Sequence, residues 1–220
     1  MGIDLRLTEQ LALLNELSIK EPTGPRFKPN GYLSNTDAAV YQSLIRRLQP
    51  NRVVEVGSGY STAALVDAGG APHMTLIEPH TERLREVLTP VDLARCELIE
   101  NRLQDVEISV FRDLACGDFL FVDSTHVTKL GSDVNRIFFE ILPVLAGGVI
   151  VHFHDIHYPF EYPSEWAEQG RGWNEAYLLR AFLEYNQAFK IVLWLDMLRQ
   201  LGHISGNCGS MWLRKLGAEP

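Results

Sequence analysis

The stretch Val53-Val54-Glu55-Val56-Gly57-Ser58-Gly59-Tyr60-Ser61 constrains this chain more than any other. Its β-branched apolar run reads as a buried strand, its two glycines permit positive φ and close backbone approach, and Thr62-Ala63-Ala64-Leu65-Val66 resumes as a helix. A strand that breaks into such a turn and opens a helix can cradle a nucleotide-like cofactor. About twenty residues further on, Leu76-Ile77-Glu78-Pro79 ends a second apolar run on a carboxylate, placed to accept hydrogen bonds from two ribose hydroxyls. A glycine pair after an apolar run is often only a turn; Glu55 in front and Glu78 at this distance make it a binding site.

Dinucleotide sites use G-x-G-x-x-G, whose third glycine packs the helix on the strand and whose helix N-terminus holds a pyrophosphate. Here the third position is Thr62, and Glu55 before the turn would repel a pyrophosphate while suiting a cationic ammonium. S-adenosylmethionine (SAM) carries that ammonium and no phosphate. The acidic residue, the glycine turn and Glu78 together resemble the class I SAM-dependent methyltransferases. That resemblance implies cofactor contacts at Glu55, Gly57, Ser58, Gly59, Tyr60, Ser61 and Glu78. It also implies an adenine contact after the third strand, where Gln104 and Asp105 are the candidates.

With 220 residues and 46% hydrophobic content, the chain can bury one large core. A formal net charge of -8 argues against a nucleic-acid surface and favours a small-molecule substrate. Cys96, Cys116 and Cys208 form no disulfide or zinc pattern, which points to reducing cytoplasm. Asp4, Glu9 and Glu16 interrupt the N-terminal leucines, so no signal-peptide core is expected there. No run approaches the ~18 apolar residues of a membrane span.

Leu5, Leu7, Leu11, Leu14 and Leu17 predict an amphipathic helix over residues 5–18, a cap on the domain or a homodimer contact. The Pro- and Gly-dense residues 21–31 form a connector, giving an N-terminal extension over 1–35 and one catalytic domain over 36–220. Asn35 or Thr36 offers an N-cap to a helix burying Val40, Leu44, Ile45 and Leu48. Strands are expected at 52–56, 74–78, 96–100, 118–123, 148–154, 190–196 and 210–214. Ser132 or Asp133 caps a helix between the fourth and fifth, and Asn174 starts another. The fold class is α/β: a Rossmann-like, doubly wound, mostly parallel seven-stranded sheet with helices on both faces. In the resembled family the last two strands include one antiparallel to the rest.

Ligands in such sheets bind at the carboxyl ends of the strands, which makes strand-end residues the ones that carry chemistry. The fourth run ends in Asp123-Ser124-Thr125-His126 and the fifth in His152-Phe153-His154-Asp155-Ile156-His157. Strand alternation places His152 and His154 on one face and Asp155 on the other, unless the strand has already turned. Asp123 is expected near the methionine end of the cofactor or at a metal. Two mechanisms fit. In one, Asp123, His154 and Asp155 hold a divalent ion (Mg, Mn, Fe or Zn) that acidifies a substrate hydroxyl, as in the catechol-type O-methyltransferases that the placement resembles. In the other, His126 or His154 is a general base poised near neutral pH, with Asp123 beside it. His152 and His157 read as structural. The aromatic segment from Tyr158 to Trp166 suits a pocket wall, a lid or a subunit contact.

These residues predict a cytoplasmic SAM-dependent methyltransferase that acts on an oxygen of a small molecule. An NAD(P)-dependent oxidoreductase of the same fold is disfavoured by Thr62, Glu55 and the lack of a Tyr-x-x-x-Lys pair. A non-catalytic SAM-binding partner protein would have no need of so many titratable groups at its strand ends.

Overall fold

β-Branched and aromatic runs, buried on both faces, supply the strands of the computed structural model, which describes residues 2–217. They are β1 (Arg52–Val56), β2 (His73–Ile77), β3 (Cys96–Ile99), β4 (Phe119–Val122), β5 (Ile150–Phe153), β6 (Phe189–Trp194) and β7 (Met211–Lys215). They form one sheet in the order β3-β2-β1-β4-β5-β7-β6. Neighbours run parallel from β3 through β5, while β7 is antiparallel to β5 and β6. All of β4 and β5 is buried, as in a sheet covered on both faces. The Rossmann-like expectation holds, including the antiparallel member of the last pair.

Register sets where the chemistry emerges. Val56 pairs with Ile77 and Val122, and Val122 with Phe153, so β1, β2, β4 and β5 end level with one another. The residues that follow (Gly57, Glu78, Asp123 and His154) leave the sheet along one edge. β1 and β4 lie side by side where the strand order reverses, the place where an open α/β sheet leaves a crevice.

The helices that matter to the site are α1 (Leu7–Glu16), α2 (Asn35–Leu48), α3 (Tyr60–Asp67), α4 (Glu82–Val87), α5 (Asp133–Arg136), α6 (Glu175–Tyr185) and α7 (Leu195–Gln200). Beyond α5 the chain continues through a π-helical turn (Ile137–Ile141), and Ile137, Phe138, Ile141, Leu142 and Leu145 are buried as the pattern predicts. Two expectations change. The run at 190–196 leaves the sheet at Trp194: Leu195 and Leu198 repeat at helical spacing, and the Asp196 carboxylate accepts the Tyr158 N–H at 2.8 Å. α2 is capped by Ser34, one residue before the expected cap, and its Oγ accepts the Asp37 N–H at 3.0 Å.

The N-terminal segment is sewn onto the sheet. α1 packs on β6, and its fully buried Gln10 accepts the Trp194 N–H at 2.7 Å. In the connector, Arg26 spans Asp67 and Asp92 at 3.1 and 2.5 Å, and Asp67 also accepts the Arg26 and Phe27 N–H groups. This clasp carries Asn30, Gly31, Tyr32 and Ser34 to the crevice. Among the described residues no helix is long and apolar enough to cross a membrane.

Candidate active site

A cleft of about 970 Å³ opens at the carboxyl edge of the sheet. The strand ends form its floor, the connector one side, and residues 157–173 and 207–209 the other.

Gly57 makes the turn possible. Its φ is +79°, and a Cβ there would lie 1.8 Å from the Asp123 carbonyl oxygen, so the ends of β1 and β4 cross with no side chain between them. Glu78 lines the cleft; one of its oxygens accepts the Ser58 N–H at 3.1 Å and the other the His80 N–H at 2.9 Å. Each oxygen keeps a lone pair for a hydroxyl. The Ser58 Oγ is buried without a partner, and Tyr60 stacks on Tyr32 at 5.8 Å beside Glu78. An orphaned hydroxyl, a bare glycine and a strand-end carboxylate fit the nucleoside of SAM.

Four of the expected cofactor contacts, Glu55, Ser61, Gln104 and Asp105, do not line the cleft. Glu55 does not reach the cleft: it is fully buried, and its carboxylate is taken by Tyr41 Oη at 3.1 Å and by Thr62 Oγ1. Burial outweighs those bonds and pushes its pKa up to about 7. Thr62 Oγ1 also accepts the Gly59 N–H, so Glu55 braces the turn from behind, and Ser61 adds a further hydrogen bond to it. Gln104 is spent on the Gly131 carbonyl at 3.0 Å, and Asp105 on Arg102 at 2.9 Å; neither lines the cleft.

The chemistry-bearing residues do converge. β5 has turned by Asp155, whose φ of +57° swings its carboxylate to 3.3 Å from His154 Nδ1 instead of onto the opposite face. His126, also left-handed at φ +58°, points Nε2 at Asp123 (3.3 Å) and Asp155 (3.8 Å). The three residues whose ligand atoms all lie within 4.8 Å of one another are Asp123, His126 and Asp155. His126 thus joins the expected pair of carboxylates, which His154 Nδ1 also faces at 3.7 Å from Asp123 and 3.3 Å from Asp155. Two carboxylates and one imidazole fit a divalent ion, manganese, iron or zinc more readily than magnesium.

Burial alone would lower the His126 pKa, yet its bonds to Asp123 and Glu175 raise it to about 10. His154 is likewise buried, and the nearby carboxylates of Asp155, Asp123 and Asp37 hold it well above the ordinary imidazole value. With no ion in the proton's place, these surroundings favour the imidazolium form of both rings over a free base. His152 is structural, as expected: it is fully buried, stacked on Phe121 at 3.7 Å, bonded to Ser210 Oγ at 2.9 Å, and held neutral by burial.

Two carboxylates behind the histidines are new. Glu175, fully buried at the start of α6, meets His126 Nδ1 at 2.8 Å. Asp37, in the first turn of α2, accepts the Gly209 and Ser210 N–H groups and lies 3.8 Å from His154 Nε2. Ser34-x-x-Asp37 is a capping-box spacing visible in the sequence; Glu175 stands in Trp173-Asn174-Glu175, a segment that resembles a bacterial subgroup of the class I methyltransferases. Pro163, Trp166, Arg171 and Trp173 wall the cleft, and the Trp173 ring lies 4.3 Å from that of His126. His157 lines it too.

Residues 54–156 match the Methyltransf_24 family, described as a methyltransferase domain. Residues 54–156 carry a methyltransferase domain. This decides against the oxidoreductase reading. An uncharacterized protein of Archaeoglobus fulgidus is 32% identical over 132 residues, 52% of this chain and 59% of that relative. Among solved structures, the O-methyltransferase TomG of Streptomyces achromogenes, in complex with SAM, shares 16% identity at a TM-score of 0.58, over 97% of this chain and 89% of that one. The Bacillus cereus O-methyltransferase in complex with S-adenosylhomocysteine (SAH) shares 15% at 0.54, over 96% and 91%. At these identities the methyltransferase domain shares their fold, and the activity must be argued from its own cleft.

Proposed function

We propose that this protein is a SAM-dependent O-methyltransferase of small molecules, in which Asp123, His126 and Asp155 hold a divalent ion at the acceptor hydroxyl. SAM would supply an electrophilic methyl on its sulfonium, and the ion would lower the pKa of the hydroxyl that attacks it. Glu78 receives the ribose hydroxyls, the Gly57–Ser58 backbone lies against the nucleoside, and Asp123 separates the cofactor from the acceptor. Acceptors enter between the connector and the aromatic segment, which shields the transfer from water.

One observation carries the ion: His126 faces two carboxylates with Nε2 while Glu175 occupies Nδ1 at 2.8 Å. That is the backing carboxylate of a metal-bound histidine. Without an ion the same ring is a buried imidazolium, a poor base. The three cysteines are unpaired, in keeping with a reducing compartment such as the cytoplasm.

Calorimetry with SAH, followed by transfer of labelled methyl from SAM to a panel of phenols, tests both parts. SAH binding and transfer that EDTA abolishes and Mn²⁺ restores are expected. Absence of SAH binding overturns the cofactor assignment, and full transfer after metal stripping overturns the ion.

A further inference from the structure

Arg171 is a guanidinium without an anion. It lines the cleft with its Cζ 4.6 Å from the Trp166 ring and 5.0 Å from the Trp173 ring, and among the described residues it forms no salt bridge and its guanidinium makes no hydrogen bond. Cation–π contact with two indoles at 77° to each other holds the group in place and leaves its N–H groups free. The contrast with Arg26, Arg85, Arg102 and Arg199 is direct, since each of those meets a carboxylate. A planar, preset, unpaired guanidinium in a cleft wall is a device for an oxyanion, which it can bind through two parallel bonds.

Its position sets what else that ligand carries. Trp173 contacts both Arg171 and His126, at 5.0 and 4.3 Å, and Trp166 stands edge-on to Trp173 at 4.9 Å. The path from the candidate acceptor site to the guanidinium is therefore two short steps along an indole face. One aromatic ring laid against Trp173 spans it, with a hydroxyl at one end and an oxyanion at the other. The other cleft walls carry Asp37, Glu78, Asp123 and Asp155 together with Arg83, which stacks on Tyr32 at 3.8 Å, so on the aromatic wall the cation that meets an entering anion is Arg171.

We propose that Arg171, set by Trp166 and Trp173, selects acceptors that are hydroxylated aromatics bearing an oxyanion, a carboxylate or a phosphate ester. This rests on the methyltransferase reading above, because it takes the hydroxyl to sit at Asp123, His126 and Asp155.

The test is calorimetry on the SAH-loaded, Mn²⁺-loaded protein with hydroxybenzoates, hydroxyphenyl phosphates and the matching uncharged hydroxybenzamides. Acid or phosphate should bind at least about tenfold tighter than amide, from the charge-assisted bonds lost. Arg171→Gln should erase that ratio, and Arg171→Lys should restore part of it. A carboxylate or a phosphate preference identifies which oxyanion the site takes. Equal binding of all three probes, binding of none, or a ratio that survives in Arg171→Gln overturns the proposal. SAH affinity is read in every sample: if it is absent from the wild type, the methyltransferase reading fails, whereas a lost preference with SAH bound fails only the role of Arg171.

Discussion

His126 Nδ1 and Glu175 Oε2 lie 2.8 Å apart with both side chains buried. The backbone doubles this tie, because the His126 carbonyl accepts the N–H groups of Asn174 and Glu175 at 2.9 and 3.2 Å. The start of α6 therefore fixes both the left-handed backbone and the ring of a residue beyond β4. The ring can turn only Nε2 toward Asp123 and Asp155, where a proton and a divalent ion compete for one lone pair.

Glu175→Gln keeps the volume and one acceptor oxygen but removes the charge. Affinity for Mn²⁺, followed by electron paramagnetic resonance of the free ion, should fall by about 10–100-fold. SAH affinity should change far less, since Glu175 does not line the cleft. Unchanged Mn²⁺ affinity would detach Glu175 from the ion.

The same pair gives the ion-free protein a pH dependence. His126 has its folded pKa raised from 6.5 to about 10, so its stabilising contribution is complete below about pH 6.5 and is lost as pH rises toward 10. His154 is shifted in the same direction. In EDTA, Tm should fall across that window, and His126→Asn should flatten the fall. A wild-type Tm that is level from pH 6.5 to 10 would show that His126 is neutral in the fold.

Glu55 contributes with a different window. Its pKa is raised from 4.5 to about 7, so the buried group is easily accommodated when protonated, and stability is lost as pH rises through 7. Glu55→Gln should match the wild type near pH 4.5 and exceed it in Tm above pH 7. Because the side chain braces the turn from behind, SAH affinity should fall less in Glu55→Gln than in Glu78→Gln, where about tenfold or more is expected. The reverse order would place Glu55 in contact with the cofactor.

The sheet was legible because period and punctuation act locally: Val53 to Gly57, Phe119 to Asp123 and Ile150 to Asp155 each read as a strand and its end without reference to the rest of the chain. The cofactor turn was legible for the same reason. What a side chain at a strand end faces depends on one or two dihedrals that composition does not encode. The φ of +57° at Asp155 brought it to His154, and +58° at His126 turned that ring toward the same two carboxylates that His154 faces. Glu55, Gln104 and Asp105 stand outside the cleft lining, bonded to tertiary partners that spacing does not encode: Tyr41 and Thr62, Gly131, and Arg102. Glu175 and Arg171 act across long stretches of chain, beyond any spacing rule.

Gly57→Ala tests the crossing on which the whole cleft rests. Two costs combine there: a φ of +79° that alanine adopts only under strain, and a methyl 1.8 Å from the Asp123 carbonyl, which is backbone and cannot rotate away. Gly117→Ala separates them, because its φ is +90° with nothing within 4 Å of the new methyl. Strain alone costs about 1–3 kcal/mol, which for a chain of this size is roughly 2–4 °C in Tm per kcal/mol. Gly57→Ala should lose clearly more than Gly117→Ala, since β1 and β4 must part. Parting them shifts Asp123, whose N–H is bonded to the Val56 carbonyl at 2.9 Å. SAH and Mn²⁺ affinity should therefore fall together in Gly57→Ala and in neither case in Gly117→Ala. Equal melting losses in the two variants would show that the strand ends yield, and that the turn is held by conformation rather than by close approach.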